Sequence, residues 1–273
     1  MKQVKDYSIS QEEFQLIYHA DLDLYQTQFN KFESLDRYYE SENYISHTDS
    51  KKSWFDKMYQ MVKTFTIKSK WRLIKKNIQN KNITILDVGC GTGDFLKAGK
   101  KNGFNVVGVE PNKNARALAE KKSLTVKSDL SEINNIQFDV ITLWHVLEHV
   151  PDYNDYINQL KKILKPNGIL IIAVPNFNSY DAHYYKNYWA AWDVPRHLWH
   201  FSKKTFFKVS EKHQLKLIHI KPMYFDSFYV SLLSEEYKSG TKKLFKGFLI
   251  GLWSNFIGMW SKEYSSHIYI LKK

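Results

Sequence analysis

Residues 84–96 read Thr-Ile-Leu-Asp-Val-Gly-Cys-Gly-Thr-Gly-Asp-Phe-Leu, a short apolar run that passes through three evenly spaced glycines into a helical pattern. Ile83, Ile85, Leu86 and Val88 predict a buried-type strand. Gly89, Gly91 and Gly93 lack a Cβ, so the backbone can take positive φ and a ligand can lie against it, facing the free N–H groups of the following helix. The spacing G-x-G-x-G differs from the G-x-G-x-x-G that holds a dinucleotide pyrophosphate. Asp87, just before the loop, would repel a phosphate and attract an amino group or a sulfonium. A nucleoside-type ligand carrying positive charge fits this cradle.

The pattern continues in register. Val106–Glu110 is a strand ending in a carboxylate 21 residues after Gly89, where an α/β nucleotide site holds ribose hydroxyls. Leu124–Leu130 gives a third strand followed by an acid at Asp129, and Phe138–Leu143 a fourth. Leu164-Lys-Pro-Asn-Gly168 turns into a fifth, Ile169–Val174. Strands alternating with helices predict a parallel sheet. With these five ordered elements on the page, residues 83–175 resemble a class I S-adenosylmethionine (SAM) dependent methyltransferase. The resemblance implies a doubly wound, Rossmann-like α/β fold with a seven-stranded sheet whose last strand is antiparallel, and SAM as cofactor. Its implied cofactor contacts are Asp87, Gly89, Cys90, Gly91, Gly93, Glu110, Pro111, Asp129, Leu130, Trp144 and His145. Cys90 reads as a small buried residue, since nothing in the sequence sets a base or cation beside it. The run Trp192–Ser202 is similar to an Asp-x-Pro-Arg-His-Leu-x-His-Phe-Ser signature of the type 23 group of these enzymes.

The chain's 273 residues suffice for one full-sized core with a hundred residues to spare for substrate recognition. One cysteine excludes an internal disulfide, and the first residues lack the apolar stretch of a signal peptide, so a cytoplasmic setting is expected. The net charge of +12 is concentrated. Residues 51–82 hold ten basic and one acidic side chain, whereas residues 1–50 hold four and ten. A second lysine excess surrounds residues 238–273. Such patches suit nucleic acid, an anionic membrane surface or an acidic substrate.

Four regions are expected: an N-terminal helical and lid segment (1–82), the SAM-binding core (83–175), an aromatic acceptor-pocket insert (176–202) and a C-terminal part of the sheet (203–273) with a helical insertion at about 223–264. Ser10-Gln-Glu-Glu13 has the form of a helix-capping box. Residues 53–79 carry mixed helical periodicity. Similar methyltransferases close an N-terminal segment over the cofactor, which makes Tyr39, Tyr44 and His47 lid candidates. Residues 177–201 hold nine aromatic side chains and lie after a parallel strand's carboxyl end, a position that borders the ligand crevice. Tyr188, Trp189, Trp192, Arg196 and His197 are therefore the expected acceptor contacts. Residues 247–260 are uncharged and apolar, either a lid helix or one lying on a membrane surface, and in both cases expected beside the 177–201 insert.

Transfer from a sulfonium is an in-line displacement that asks little covalent help of a protein. A hydroxyl acceptor must also lose its proton, and His149, His145 and His197 are the candidate bases. The segment His145–His149 matches the zinc-protease pattern H-x-x-E-H, but it follows a parallel strand, so the protease reading fails and no metal is assigned. Some relatives, including ubiquinone-type O-methyltransferases, place a Glu and a His here on a divalent ion, a role Glu148 and His149 could share with another partner. The expected activity is SAM-dependent methylation of a small-molecule or lipid-like acceptor, at oxygen, with peripheral membrane contact. An RNA methyltransferase tracking phosphates along residues 51–82, and a non-catalytic SAM-binding module, remain as alternatives.

Overall fold

The computed structural model describes residues 2–29, 35–39, 54–78 and 82–273. Seven strands form one sheet: β4 (Thr84–Val88), β5 (Asn105–Val109), β6 (Thr125–Lys127), β7 (Phe138–Trp144), β8 (Leu164–Pro175), β10 (Lys216–Pro222) and β11 (Ser266–Lys272). Their order is β10-β11-β8-β7-β4-β5-β6, with the C-terminal strands antiparallel to the rest. β4 pairs in parallel with β5 and β7, and β5 with β6, the arrangement that strand-helix alternation predicts.

Two compact units are distinguishable. The first comprises described residues within 42–144, 158–171 and 272–273. Its helices are α1 (Trp54–Asn77), α2 (Asp94–Lys101), α3 (Lys113–Glu120) and most of α4 (Tyr153–Ile163). α1 is one continuous helix held by Trp71, whose ring stacks on Phe95 at 4.7 Å and Phe104 at 5.1 Å. The indole N–H donates to the Phe95 carbonyl at 3.0 Å. Gly99 makes this possible, since a Cβ there would lie 2.2 Å from the Trp71 ring.

The second unit comprises described residues within 1–41, 145–157 and 172–271. A four-stranded sheet, β1 (Lys2–Lys5), β2 (Glu13–His19), β3 (Leu24–Thr27) and β9 (Trp199–His200), opens the chain. The helix expected after Ser10 is absent. Ser10 instead gives both its backbone N–H and its hydroxyl to Asp6, at 2.9 and 3.0 Å, and Gln11 turns the chain at φ 62°. Phe14, Ile17 and Tyr18 are aromatic or β-branched, residue types that favour a strand, and Leu16 among them is fully buried.

The rings of the 177–201 segment meet this sheet. Phe177, Tyr185, Trp189, Ala191, Trp192 and Val194 form one buried cluster with Val4 and Leu16. Four further α-helices, α5 (Tyr180–Tyr185), α6 (Lys203–Lys212) and the pair α7 (Asp226–Ser239) and α8 (Leu244–Ser261), belong to the unit, the pair filling the connection between β10 and β11. Arg196 ties strand and segment together. Its guanidinium donates to Asp6 Oδ1 at 2.9 Å, Asp193 Oδ1 at 2.7 Å, the Tyr38 carbonyl at 3.1 Å and the Ser8 hydroxyl. Burial opposes ionisation of Asp6, but the Arg196 guanidinium outweighs it and holds the carboxyl down at about 2.

Removing one partner of a buried ion pair leaves a charge without compensation, at a cost of about 3–5 kcal/mol. Arg196→Met should lower unfolding stability by about that amount in urea titration. A change near the few tenths typical of surface sites would show that Arg196 does not hold the unit together.

Candidate active site

In the first unit the strand end of β4 leads into Gly89, Gly91 and Gly93, with φ of 69°, 54° and 79°. All three are left-handed, so the loop needs glycine. A Cβ on Gly93 would lie 2.5 Å from Leu124 and 2.9 Å from Ala119, whereas one on Gly91 would meet nothing within 4 Å. The loop is thus packed on its inner face at Gly93 and open at Gly91. Glu110, at the end of β5, accepts the Gly91 N–H through Oε2 at 2.8 Å and the Asn112 N–H through Oε1 at 2.9 Å. Each carboxylate oxygen keeps a lone pair, enough to accept a pair of ribose hydroxyls.

Asp87 is buried, and its Oδ1 accepts the Thr142 hydroxyl at 2.6 Å. Burial pushes its carboxyl up to about 7 against the opposing effect of that bond. The Trp144 indole N–H is buried with no hydrogen-bond partner, and Lys70 Nζ sits 4.3 Å from the centre of its ring. An orphaned buried donor calls for an acceptor that binds from outside the chain. A carboxylate-bearing, positively charged nucleoside satisfies Glu110, Asp87 and Trp144 together, so the cradle fits SAM. Asp129 accepts the Ser131 N–H at 2.8 Å as the cap of a short turn, with Leu130 buried beneath it. Pro111 is exposed, with its carbonyl accepting from Arg116 at 3.0 Å. The Cys90 thiol is buried, which pushes its ionisation up and away from a nucleophile's range.

In the second unit, His145, Glu148, His149 and His197 come together. His145 takes φ 57° and points its Nε2 at Asp226 Oδ2, 2.8 Å away, and its Nδ1 at Glu148 Oε1, 3.2 Å away. Burial alone would lower its ionisation; the Asp226 and Glu148 carboxylates prevail and push it up to about 10. An imidazolium that donates from both nitrogens has no lone pair, so the expectation of His145 as a base is corrected: at neutral pH it is a cation.

His149 is the opposite case. Burial and the neighbouring His197 push it down to about 4, which leaves a neutral ring. Its Nδ1 lies 3.0 Å from the Arg196 carbonyl, and His197 Nδ1 lies 2.9 Å from the Ala191 carbonyl. A carbonyl can only accept, so each ring carries a proton on Nδ1, and the neutral ring of His149 presents the lone pair of Nε2. Glu148 is fully buried, and its Oε2 has no partner. Ligand atoms of Glu148, His149 and His197 all lie within 4.8 Å of one another, the one such group among the described residues. His197 is the partner that sequence reasoning could not supply. It is delivered because Leu198 N–H donates to the Glu148 carbonyl at 2.8 Å and Trp199 to the Val150 carbonyl at 2.9 Å.

The acceptor contacts expected of the aromatic segment divide differently. Trp189 and Trp192 are core residues, and Arg196 spends its N–H groups on Asp6, Asp193 and Tyr38; these three are corrected to structural roles. Tyr188 is half-exposed against Tyr7, ring centres 5.3 Å apart. Tyr39 reaches His149 Nδ1 at 3.2 Å, while Tyr44 and His47 lie outside the described residues. As expected, the apolar C-terminal helix borders the insert: Ser254 of α8 donates to Asp181 of α5 at 2.6 Å.

Both the sheet order and the glycine loop define a class I methyltransferase. Residues 68–220, more than half of the chain, match the type 23 methyltransferase domain model, and the chain belongs to that family. It is similar to a ubiquinone biosynthesis O-methyltransferase of Actinobacillus pleuropneumoniae, 39% identical over 106 residues that cover 34% of this chain and 45% of the relative. To the Coxiella burnetii protein of the same name it is 29% identical over 149 residues, covering 51% and 64%. The chain thus spans about half the length of these curated relatives. Among solved structures, Haemonchus contortus phosphoethanolamine N-methyltransferase 2 in complex with SAM matches with a TM-score of 0.55 at 16% identity, covering 91% of this chain and 62% of that one. The Mycobacterium tuberculosis cyclopropane synthase MmaA2 matches at 0.51, with 16% identity over 75% and 83%. At such identities the likeness is one of fold.

The glycine contacts generate a test. Gly93→Ala adds a side chain at a left-handed position already in contact with Leu124 and Ala119, and should cost about 2–5 kcal/mol of stability. Gly91→Ala meets open space and should cost only the backbone strain, about 1–2 kcal/mol. Equal losses for the two in thermal unfolding would contradict this account of the loop.

Proposed function

We propose that this chain transfers the methyl group of SAM to an oxygen of a small-molecule acceptor, ring-bearing or lipid-like in character and collected through peripheral membrane contact. The observation that carries the reading is the carboxylate-closed glycine cradle of Gly89–Gly93 and Glu110; the second unit supplies a neutral histidine, His149, as a candidate base. The names of the curated relatives support oxygen as the accepting atom. When bound, SAM supplies an electrophilic methyl on a sulfonium. The protein's work is to hold it and to manage one proton. Glu110 accepts the ribose hydroxyls, Asp87 offsets the positive charge, and the Trp144 N–H and Lys70 meet the carboxylate. A hydroxyl acceptor has to lose its proton, and Nε2 of His149, with His197 as the alternative, would take it. His145, held as a cation, keeps Glu148 ionised and in place.

A cationic ligand beside Asp87 favours its ionised form, and in the free protein that carboxyl is pushed up to about 7. SAM binding should therefore release a proton below pH 7, and affinity should rise from pH 5.5 toward roughly 7.5 and then level. The same raised value means that in the free protein Asp87 contributes most stability at acid pH and loses it as pH rises through about 7. Calorimetry in buffers of different ionisation enthalpy measures the proton. An Asp87→Asn variant with the same proton release as wild type would refute the assignment.

A second reading rests on Glu148. Its unpartnered oxygen and the two Nε2 atoms make a two-histidine, one-carboxylate set, suited to zinc, manganese or iron rather than magnesium. Such an ion would polarise an acceptor oxygen and lower its pKa. Nδ1–H bonds to backbone carbonyls are the usual orienting contacts of histidine ligands. The lone pairs cannot serve both roles, so the readings are separable. Under the metal reading, zinc or manganese added to chelator-treated protein raises the melting temperature, and Glu148→Gln with His197→Ala abolishes the rise. With no rise in wild type, the histidines act as bases, and His149→Ala with His197→Ala should lower kcat about 10²–10⁴-fold on a hydroxyl acceptor.

A further inference from the structure

Helix α8 has its polarity inverted. The face packed into the protein carries Gly247, Gly251, Ser254 and Gly258, while Phe245, Phe248, Leu249, Leu252, Trp253, Phe256, Met259 and Trp260 are exposed. These exposed positions recur every three or four residues and form one continuous stripe. Phe245 is 76% and Trp260 67% exposed. The small residues are inside because α7 runs against them: a Cβ on Gly247 would lie 2.9 Å from the Leu232 backbone, and one on Gly251 2.8 Å from the Phe228 backbone. Close packing to α7 thus accounts for the inner face and leaves the outer one unexplained. A surface of this size and apolarity marks a binding face.

We propose that the outer face of α8 docks on an anionic phospholipid surface, with the helix lying in the plane of the interface. Charge selects this occupant. From Tyr237 to Lys262 the chain has no acidic residue, and the stripe is bracketed by Lys242, Lys243 and Lys246 at one end and Lys262 at the other. Glu235 pairs with Lys246 at 2.9 Å and is buried, so it does not answer the remaining cations. A second copy seated on this face, parallel or antiparallel, would set lysine against lysine. Lipid phosphates meet those cations while the acyl region takes the aromatic rings, as in interfacial helices generally. At 18 residues the helix is about 27 Å long, and no helix among the described residues is long and apolar enough to cross a membrane.

The docking deepens the membrane contact of the proposed function and rests on that part of it alone, so it can fail while SAM binding and methyl transfer stand. The full chain is sedimented with vesicles of phosphatidylcholine alone and with about one-third phosphatidylglycerol, at low and high salt. The expected result is binding to the anionic vesicles that weakens with salt. Trp253→Ser with Trp260→Ser should weaken it about tenfold or more, with SAM affinity and the circular dichroism melt unchanged. If that variant does not fold, Lys242→Glu with Lys243→Glu should produce the loss on anionic vesicles. Absence of binding at low salt overturns the proposal. So does binding that survives the tryptophan changes but is lost in Lys68→Gln with Arg72→Gln on α1. Lipid-free self-association abolished by the tryptophan changes also overturns it, because the face would then belong to a second copy.

Discussion

A buried carboxylate must find donors or a cation, and this constraint organises most of the chain. Asp6 is met by Arg196 and by the Ser8 and Ser10 groups, and the N-terminal sheet is thereby fixed to the Asp193–His197 turn. Asp181 accepts the Trp189 indole at 2.8 Å, Ser254 at 2.6 Å and Ser265 at 2.8 Å. One side chain thus holds α5, α8 and the approach to β11. Glu110 is met by two backbone N–H groups. Where the accounting closes, at Asp6 and Asp181, the carboxylate is scaffolding, and Glu110 keeps one lone pair on each oxygen beyond its two backbone partners. Where it does not close, at Asp87 with a raised ionisation and at Glu148 with an unpartnered oxygen, the protein holds free energy in reserve for a ligand.

The same distinction explains which parts of the molecule can be read from sequence. The core from Thr84 to Val174 was legible because its signals are local: apolar runs of strand length, glycines at a strand end, an acid at the end of the next strand. Backbone chemistry needs no partner to be recognised. The N-terminal sheet was obscured by Ser10-x-x-Glu13, whose capping pattern is shared by any serine that serves a turn; here it serves Asp6. The aromatic and β-branched residues Phe14, Ile17 and Tyr18 were the better signal, and strand propensity over so short a run competes poorly with a motif.

The histidine cluster illustrates the limit on the other side. His145, Glu148 and His149 are visible as a pattern, but what each does depends on a residue far off in the chain. Asp226 makes His145 a cation, whereas burial, with His197 beside it, keeps His149 a neutral ring, and His197 completes the ligand pair. Two histidines four residues apart thereby titrate at opposite ends of the scale, about 10 and about 4. Aromatic density in residues 177–201 carried a similar ambiguity. Rings that could wall a pocket can equally fill a core, and only the apolar face offered by Val4 and Leu16 decides between them.

The connection between β10 and β11 shows how a fold of this class accepts a new surface at low cost. Closure entropy grows only with the logarithm of loop length, so replacing a tight hairpin by residues 223–265 is a small penalty if the insert packs on itself. It packs through glycines, each of which weakens a helix by about 0.5–1 kcal/mol relative to alanine but admits the neighbouring backbone to contact distance. The Met223 N–H still donates to the Ser266 carbonyl at 3.1 Å, so the strands meet at the neck of the insert as they would at a hairpin. With the neck closed there and Ser254 and Ser265 both bound to Asp181, the helix pair is anchored at its base and along one face. Its remaining face is therefore not needed for folding, and its aromatic residues are left for an interaction outside the chain.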